Sequence, residues 1–306
     1  MFVVTYRKSF FIISALIVLV SLAAMVKPGF NLGIDFKGGT ITEVSYTTGR
    51  PTQADLKTAV DPLGLGEYIL QPTGEANYTI RTRELSTAEK SAFLSALSLG
   101  RKNPATIIRY NSVGPTVGAE LSKKANIAIA IVIVCIVLFV TFAFRKVSEP
   151  VPSWKFGLAT IIALAHDVVI PSGIYILFSK FYGGGQIDVL FVTAILAILG
   201  YSVHDTIVVF DRIREHLRTN KETRIKENFE TTVGKSVSET FGRSINTSFT
   251  IFLVLVALYF IGGETTRNFA FVLLIGIIAG TYSSIFIASP ILVTLEKLQT
   301  KKSSKK

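Results

Sequence analysis

Asp205 is the residue of this chain best placed for chemistry, because it sits where a carboxylate is costly. It lies five residues before the end of an apolar run, Asp188–Phe210, within Gly200-Tyr201-Ser202-Val203-His204-Asp205-Thr206. At 1.5 Å per residue that is about 7–8 Å inside the run's boundary. An ionisable group at membrane depth costs about 2.5–3.5 kcal/mol on insertion scales and is a functional candidate by default. Burial favours a neutral carboxyl and an approaching cation favours the ion, so alternating surroundings would make a proton carrier. A fixed hydrogen bond would make the same residue structural. Arg243, at the mouth of a later run, Ile245–Ile261, is the candidate cation. Its plainer reading is an interfacial arginine with its stem in lipid and its head in water. Ser202 and His204 flank Asp205, and His204 reads equally as a relay or a packed neutral imidazole. His166 and Asp167 interrupt another run, Phe156–Phe178. Adjacent helical residues diverge by about 100°, so the two need not share a partner, and structural packing weighs as heavily as function.

These residues need a membrane bundle to hold them. The chain is 49% hydrophobic and only 17% charged, against about 25% charged in soluble domains; its mean hydropathy is +0.50. One cysteine, Cys135, rules out a disulfide scaffold. Three histidines without an HExxH pattern speak against zinc, and no metal is expected. Six runs are long enough to cross a bilayer: Ser9–Val26, Asn126–Phe144, Phe156–Phe178, Asp188–Phe210, Ile245–Ile261 and Asn268–Leu292. The first is longer than a signal-peptide core, so a retained anchor is expected. With the N-terminus inside, eighteen lysines and arginines fall in the cytoplasmic pieces, and the short outer loops hold Lys180 and Arg267. That asymmetry puts both termini in the cytoplasm and residues 27–125 outside. It also explains the net charge of +11 without nucleic acid.

Residues 27–125 read as a small α+β domain. Strands are expected at Ile41–Tyr46, Tyr68–Leu70, Asn77–Arg83 and Thr106–Tyr110, with helices at Gln53–Val60 and from the Ser86-x-x-Glu89 capping box to Leu99. The order β-α-β-β-α-β is that of a ferredoxin-like fold. Its charged residues read as a solvated face. Between the fourth and fifth runs, Ile225, Phe229, Val233, Val237 and Phe241 recur every four residues. They make an apolar stripe that lies on the membrane or covers the bundle floor. Val233-Gly234-Lys235-Ser236 ends like a phosphate-binding loop, but Phe229 stands where its first glycine is needed, so no nucleotide site is read. Gly276-x-x-x-Gly280 offers a face for close helix packing and, by the same token, for a partner bundle. Pro171 is expected to kink the third helix.

Longer motifs add a resemblance. They are Gly33-Ile34-Asp35-Phe36-Lys37-Gly38-Gly39-Thr40 after the first run and Val113-Gly114-Pro115-Thr116-Val117-Gly118-Ala119-Glu120-Leu121 before the second. With them stand His166-Asp167-Val168, the segment Gly200–Glu215, Arg243-Ser244-Ile245-Asn246-Thr247-Ser248 and Gly280-Thr281-Tyr282-Ser283-Ser284. In this order, over nearly the whole chain, they resemble the SecD/SecF family of bacterial protein export, part of the RND superfamily, on its smaller, SecF side. The resemblance implies a polytopic α-helical membrane protein, a six-span RND-like half bundle with an extracytoplasmic ferredoxin-like domain. It implies a non-enzymatic auxiliary subunit that uses the proton-motive force, with sodium as the alternative ion and no cofactor. The partners implied are SecD, the SecYEG channel, unfolded preproteins and inner-membrane lipid, with no nucleic acid. By position, Asp205 resembles the family's proton-carrying aspartate and Arg243 the arginine that works with it. His166, Asp167, Ser202 and His204 are accessory candidates, and Gly33, Asp35, Gly38 and Gly39 carry the motif after the first span. His204 stands where the family usually has Asn.

The expected layout is a cytoplasmic start and first span at 1–26, the outer domain at 27–125, and spans two to six at 126–292. The cytoplasmic amphipathic segment falls at 211–243 and a basic tail at 293–306. Two other readings compete. A small-molecule or lipid exporter of the same superfamily would carry a large outer insert between spans three and four, and here that link is short. A passive assembly factor would make Asp205 structural.

Overall fold

The computed structural model describes residues 2–27, 29–99, 103–145, 151–182 and 185–303. The chain forms two compact units. One combines Met1–Phe30, Ile127–Gly185 and Leu190–Lys306; the other combines Asn31–Asn126 with Gln186–Val189.

In the second unit, β1 (Gly39–Tyr46), β2 (Ile69–Thr73), β3 (Asn77–Thr82) and β4 (Ala105–Val113) form an antiparallel sheet of order β2-β3-β1-β4. Helices α2 (Gln53–Val60) and α3 (Thr87–Leu97) complete the ferredoxin-like order. The period-two pattern of β1 turns Thr42, Val44 and Tyr46 inward. There they meet Leu56 and Val60 of α2 and Phe93 and Leu97 of α3. Both helices begin in full capping boxes, Thr52 with Asp55 and Ser86 with Glu89. Arg83, then the Ser86 backbone N–H, hold the Glu89 carboxyl well down, at about 2.

The motif around Gly38 sits at one end of this unit. Gly38 has φ +80°, and a Cβ there would lie 2.8 Å from the Cα of Pro115. Across from it, a Cβ on Gly118 would lie 2.8 Å from the Gly38 nitrogen. Both glycines are therefore required by close backbone approach. Gly39, at φ +129°, backs onto the Thr82 carbonyl in the same way. The Gly33 N–H donates to the Ile187 carbonyl at 2.8 Å, and Asp35 Oδ2 accepts from the Val189 N–H at 3.1 Å.

The other unit holds six helices long and apolar enough to cross a membrane. They are α1 (Arg7–Val26), α4 (Pro115–Ala143), α5 (Ser153–Tyr182), α6 (Val189–Glu222), α7 (Phe229–Ile261) and α8 (Glu264–Ser283). The last is prolonged by a π-helical turn, Ser284–Ala288, and by α9 (Ser289–Ser303). The chain is thus a six-span helical membrane protein with a small antiparallel sheet. The spans of α5, α6 and α8–α9 are half-buried or more; α1, α4 and α7 turn most of their surface outward.

Three boundaries differ from the sequence expectation. The helix that carries the second apolar run begins ahead of it, at Pro115 rather than Asn126, since proline suits a first helical position and helix-compatible residues follow it. Residues 211–243 are not a separate amphipathic segment. Their first part continues α6 to Glu222 and their last part opens α7, capped by Asn228. The apolar stripe covers the bundle floor rather than a membrane surface: Phe229, Val233 and Val237 are buried with Phe144, Phe156 and Phe210. Ile225 and Phe241 are exposed. Ile225 precedes the helix, and a four-residue repeat drifts about 40° per step, so Phe241 has rotated away from Phe229 by about 120°. Finally, Gly276 and Gly280 face α6 within this chain, so their stripe is not a partner surface. A Cβ on Gly276 would lie 2.1 Å from Ile198 Cδ1, and one on Gly280 3.1 Å from Ser202 Cβ.

At the floor Arg7 Nη1 pairs with Glu230 at 2.5 Å, and Lys297 pairs with the same carboxylate. Lys155 donates to the Leu295 carbonyl at 2.9 Å and to Gln299 at 2.5 Å.

Candidate functional site

Four helices bring carboxyls and hydroxyls to one buried level. Asp205 on α6 is 6% exposed. Ser244 of α7 donates to its Oδ1 at 2.6 Å, and Ser284, where α8 passes into the π-helical turn, donates to its Oδ2. Ser202, one turn earlier on α6, donates not to Asp205 but to Asp167 of α5. Ser283 donates to that same Asp167 oxygen at 2.6 Å. Consecutive serines of α8 therefore serve the two aspartates. Gly280 makes this reachable by letting α8 approach Ser202. One turn away, Ser248 hydrogen-bonds both Tyr201 and Thr281 at 2.6 Å.

The hydroxyls permit two protonation states. An ionised Asp205 accepts from Ser244 and Ser284, as observed. A hydroxyl has one hydrogen and two lone pairs. If Oδ2 carries a proton it donates to Ser284 Oγ, whose hydrogen turns to the Thr281 carbonyl, 3.1 Å away. Neither the Asp205 carboxyl nor its two serine hydroxyls are orphaned in either state, which avoids a cost of about 1–3 kcal/mol.

Arg243 is not among the partners of Asp205. It is exposed, while its neighbour Ser244 turns inward. Because Ser244 bonds Asp205, Arg243 stands at the level of that carboxyl along the bundle but on the outer face. His204 is exposed as well, so it is neither packed nor in contact with the carboxyl. Sequence reasoning kept His166 and Asp167 apart from Asp205. The structure brings all three into one polar layer, with Asp167 fully buried and His166 Nδ1 on its Oδ1 at 2.8 Å. Sequence reasoning missed Ser244 and Ser284 as direct partners. The signal was available, since Ser284 interrupts the run Asn268–Leu292 and Ser244 stands at the mouth of Ile245–Ile261.

The family profile described as "Protein export membrane protein SecD/SecF, C-terminal" matches residues 96–298. A second, "SecD/SecF GG Motif", matches residues 23–49. The chain is 40% identical over 306 residues to the protein translocase subunit SecF of Thermobaculum terrenum, covering 96% of this chain and 93% of that one. It is 36% identical over 292 residues to the SecF of Anaerolinea thermophila, covering 95% and 92%. Among solved structures it is similar to SecDF, a translocon-associated membrane protein from Thermus thermophilus. There the TM-score is 0.81 at 29% identity, over 96% of this chain and 38% of that longer one.

Proposed function

The chain belongs to the SecD/SecF family of protein-export membrane proteins, and we propose that it is the SecF-type half of a proton-driven machine that pairs with SecD beside the SecYEG channel and helps preproteins leave it. Both termini lie in the cytoplasm and the ferredoxin-like domain outside, a reading that the lysine and arginine asymmetry supports. Asp205 takes up and releases the proton. The observation that carries this reading is its hydroxyl shell, which satisfies the carboxyl both with and without a proton.

Arg243 acts from outside that shell. A charged arginine at the level of a buried carboxyl is costly against lipid. A second bundle covering this face, and His204 with it, removes the cost and lets the guanidinium approach Asp205 for part of the cycle. The machine runs on the ion gradient and works as a translocase subunit rather than an enzyme.

The test is preprotein translocation into inverted vesicles, with and without an ionophore, alongside co-purification of the SecD chain. Asp205→Asn keeps size and hydrogen-bonding capacity, so assembly should persist while ionophore-sensitive stimulation disappears. Full retention of that stimulation would falsify the carrier role and favour the passive-assembly reading.

A further inference from the structure

Asp167 is the most deeply buried charged side chain among the described residues, and a carrier at Asp205 leaves it without a task. It is 0% exposed and accepts three side-chain hydrogen bonds, from His166, Ser202 and Ser283. Pro171 adds a fourth feature: it has no N–H to donate to the Asp167 carbonyl one turn back. His166 is 6% exposed, and its ring stacks on Tyr282 with centroids 5.9 Å apart. Its Nδ1 is engaged, but Nε2 is buried with no hydrogen-bond partner among the described residues. An orphaned buried nitrogen costs about 1–3 kcal/mol and calls for a reason.

We propose that His166 and Asp167 form a second proton-binding centre of this chain, with Nε2 as the atom that takes the proton. In the unloaded state the imidazole is neutral, Nδ1–H donates to Asp167 Oδ1, and the pair carries one negative charge. Loading adds H⁺ to the Nε2 lone pair. The Nδ1–H bond stays in place and the pair becomes a neutral imidazolium–carboxylate couple. Release reverses the step. The Tyr282 ring face stabilises the cation in the loaded state.

The groups facing the pair come from α8, α6 and α1. α8 contributes the Tyr282 phenol and Ser283; α6 contributes Ser202 and, one turn on, Asp205. From α1 the Ser14 hydroxyl and the Phe10 carbonyl meet the Tyr282 hydroxyl, at 3.1 and 3.2 Å. On α9, Glu296 lies beside Lys155 and Lys297 pairs with Glu230. Ser283 and Ser284 tie this centre and Asp205 to the entry of one π-helical turn, a feature that often marks a functional point in a helix. Two centres on one helix junction imply two proton sites per chain. The pair is a centre in its own right whether or not Asp205 carries protons.

The test is nitrogen NMR of the full chain, labelled at histidine, in lipid bilayers. The Nε2 resonance that vanishes in His166→Gln should move between unprotonated and protonated positions from about pH 8 to about pH 5. Asp167→Asn should remove that transition from the range, and proton uptake per chain over it should fall by one in His166→Gln. A resonance fixed in one state throughout overturns the proposal, as does a transition unchanged by Asp167→Asn. If the transition is present while Asp205→Asn keeps full activity, this centre stands and the carrier role of Asp205 falls.

Discussion

Two glycines in the bundle should respond to the same substitution with opposite signs. Gly276 of α8 faces α6, and an added Cβ would lie 2.1 Å from Ile198 Cδ1 and 2.3 Å from Cγ1. Ile198 is fully buried, so its side chain has no empty space to swing into. Such overpacking costs about 1–3 kcal/mol, offset by about 1 kcal/mol of helix propensity gained on replacing glycine. Gly276→Ala should therefore destabilise the isolated chain by about 0–2 kcal/mol. Gly200 of α6 has nothing within 4 Å of its Cβ position, so Gly200→Ala should stabilise the isolated chain by about 1 kcal/mol. Gly200 shares the outer face of α6 with His204, one turn on. If a partner bundle packs there, the added methyl should weaken co-purification with SecD even as the chain alone gains stability. The assay is loss of the monodisperse peak after heating in detergent, run beside partner capture. A Gly200→Ala chain that is itself destabilised, or a Gly276→Ala chain more stable than the parent, would refute the assignment of inner and outer faces.

Asp35→Ala removes the acceptor at the first N–H of α6 and should cost about 1 kcal/mol at that helix end; faster hydrogen exchange at Val189 would register it, and unchanged protection would count against it. Glu89 gives the ferredoxin-like unit a pH dependence. Its folded value, about 2, lies below the ordinary carboxylate range. Its contribution is therefore full above that range and disappears as pH falls through about 2. Circular dichroism of the full chain should show a smaller acid-induced loss in Glu89→Gln than in the parent, and identical curves would contradict the capping argument. Gly38→Ala forces a side chain onto φ +80° against the Pro115 backbone, with about 1–2 kcal/mol for the dihedral alone. Limited proteolysis between β1 and α4 should accelerate; an unchanged rate would show that the motif tolerates relaxation.

The elements were readable where their signal is local. The Ser86-x-x-Glu89 signature marks a helix start that is observed at Thr87, and the helix expected at Gln53–Val60 has those bounds. Six apolar runs gave six spans. Ends fared worse where polar sequence continues a helix, as at Pro115 and Glu222, because apolar content marks the lipid crossing and not the hydrogen-bonded rod. The facing of side chains was the least legible. The Gly276-x-x-x-Gly280 spacing shows that something packs closely but not whether it is α6 or another chain. Asp205 stood out in one dimension, yet its contacts come from Ser244 and Ser284, far along the chain. Arg243 and Ser244 are one residue apart, and only the rotation of α7 decides which turns inward.

That rotation bears on how a carboxyl can alternate inside a bundle. A guanidinium carries five donors and no acceptor. Were Arg243 bonded to Asp205 in every state, a protonated Oδ2 could not donate to it, and loading would leave a donor facing donors. Serine has no such bias, since its oxygen accepts as readily as its hydrogen donates. Ser284 also keeps the Thr281 carbonyl within reach for the hydrogen it no longer gives to Asp205. A shell of hydroxyls around the carboxyl, with the arginine one residue away on the outer face, therefore separates two tasks. The hydroxyls satisfy the carboxyl with and without its proton, and in the proposed cycle an arginine that comes and goes decides which of the two is favoured.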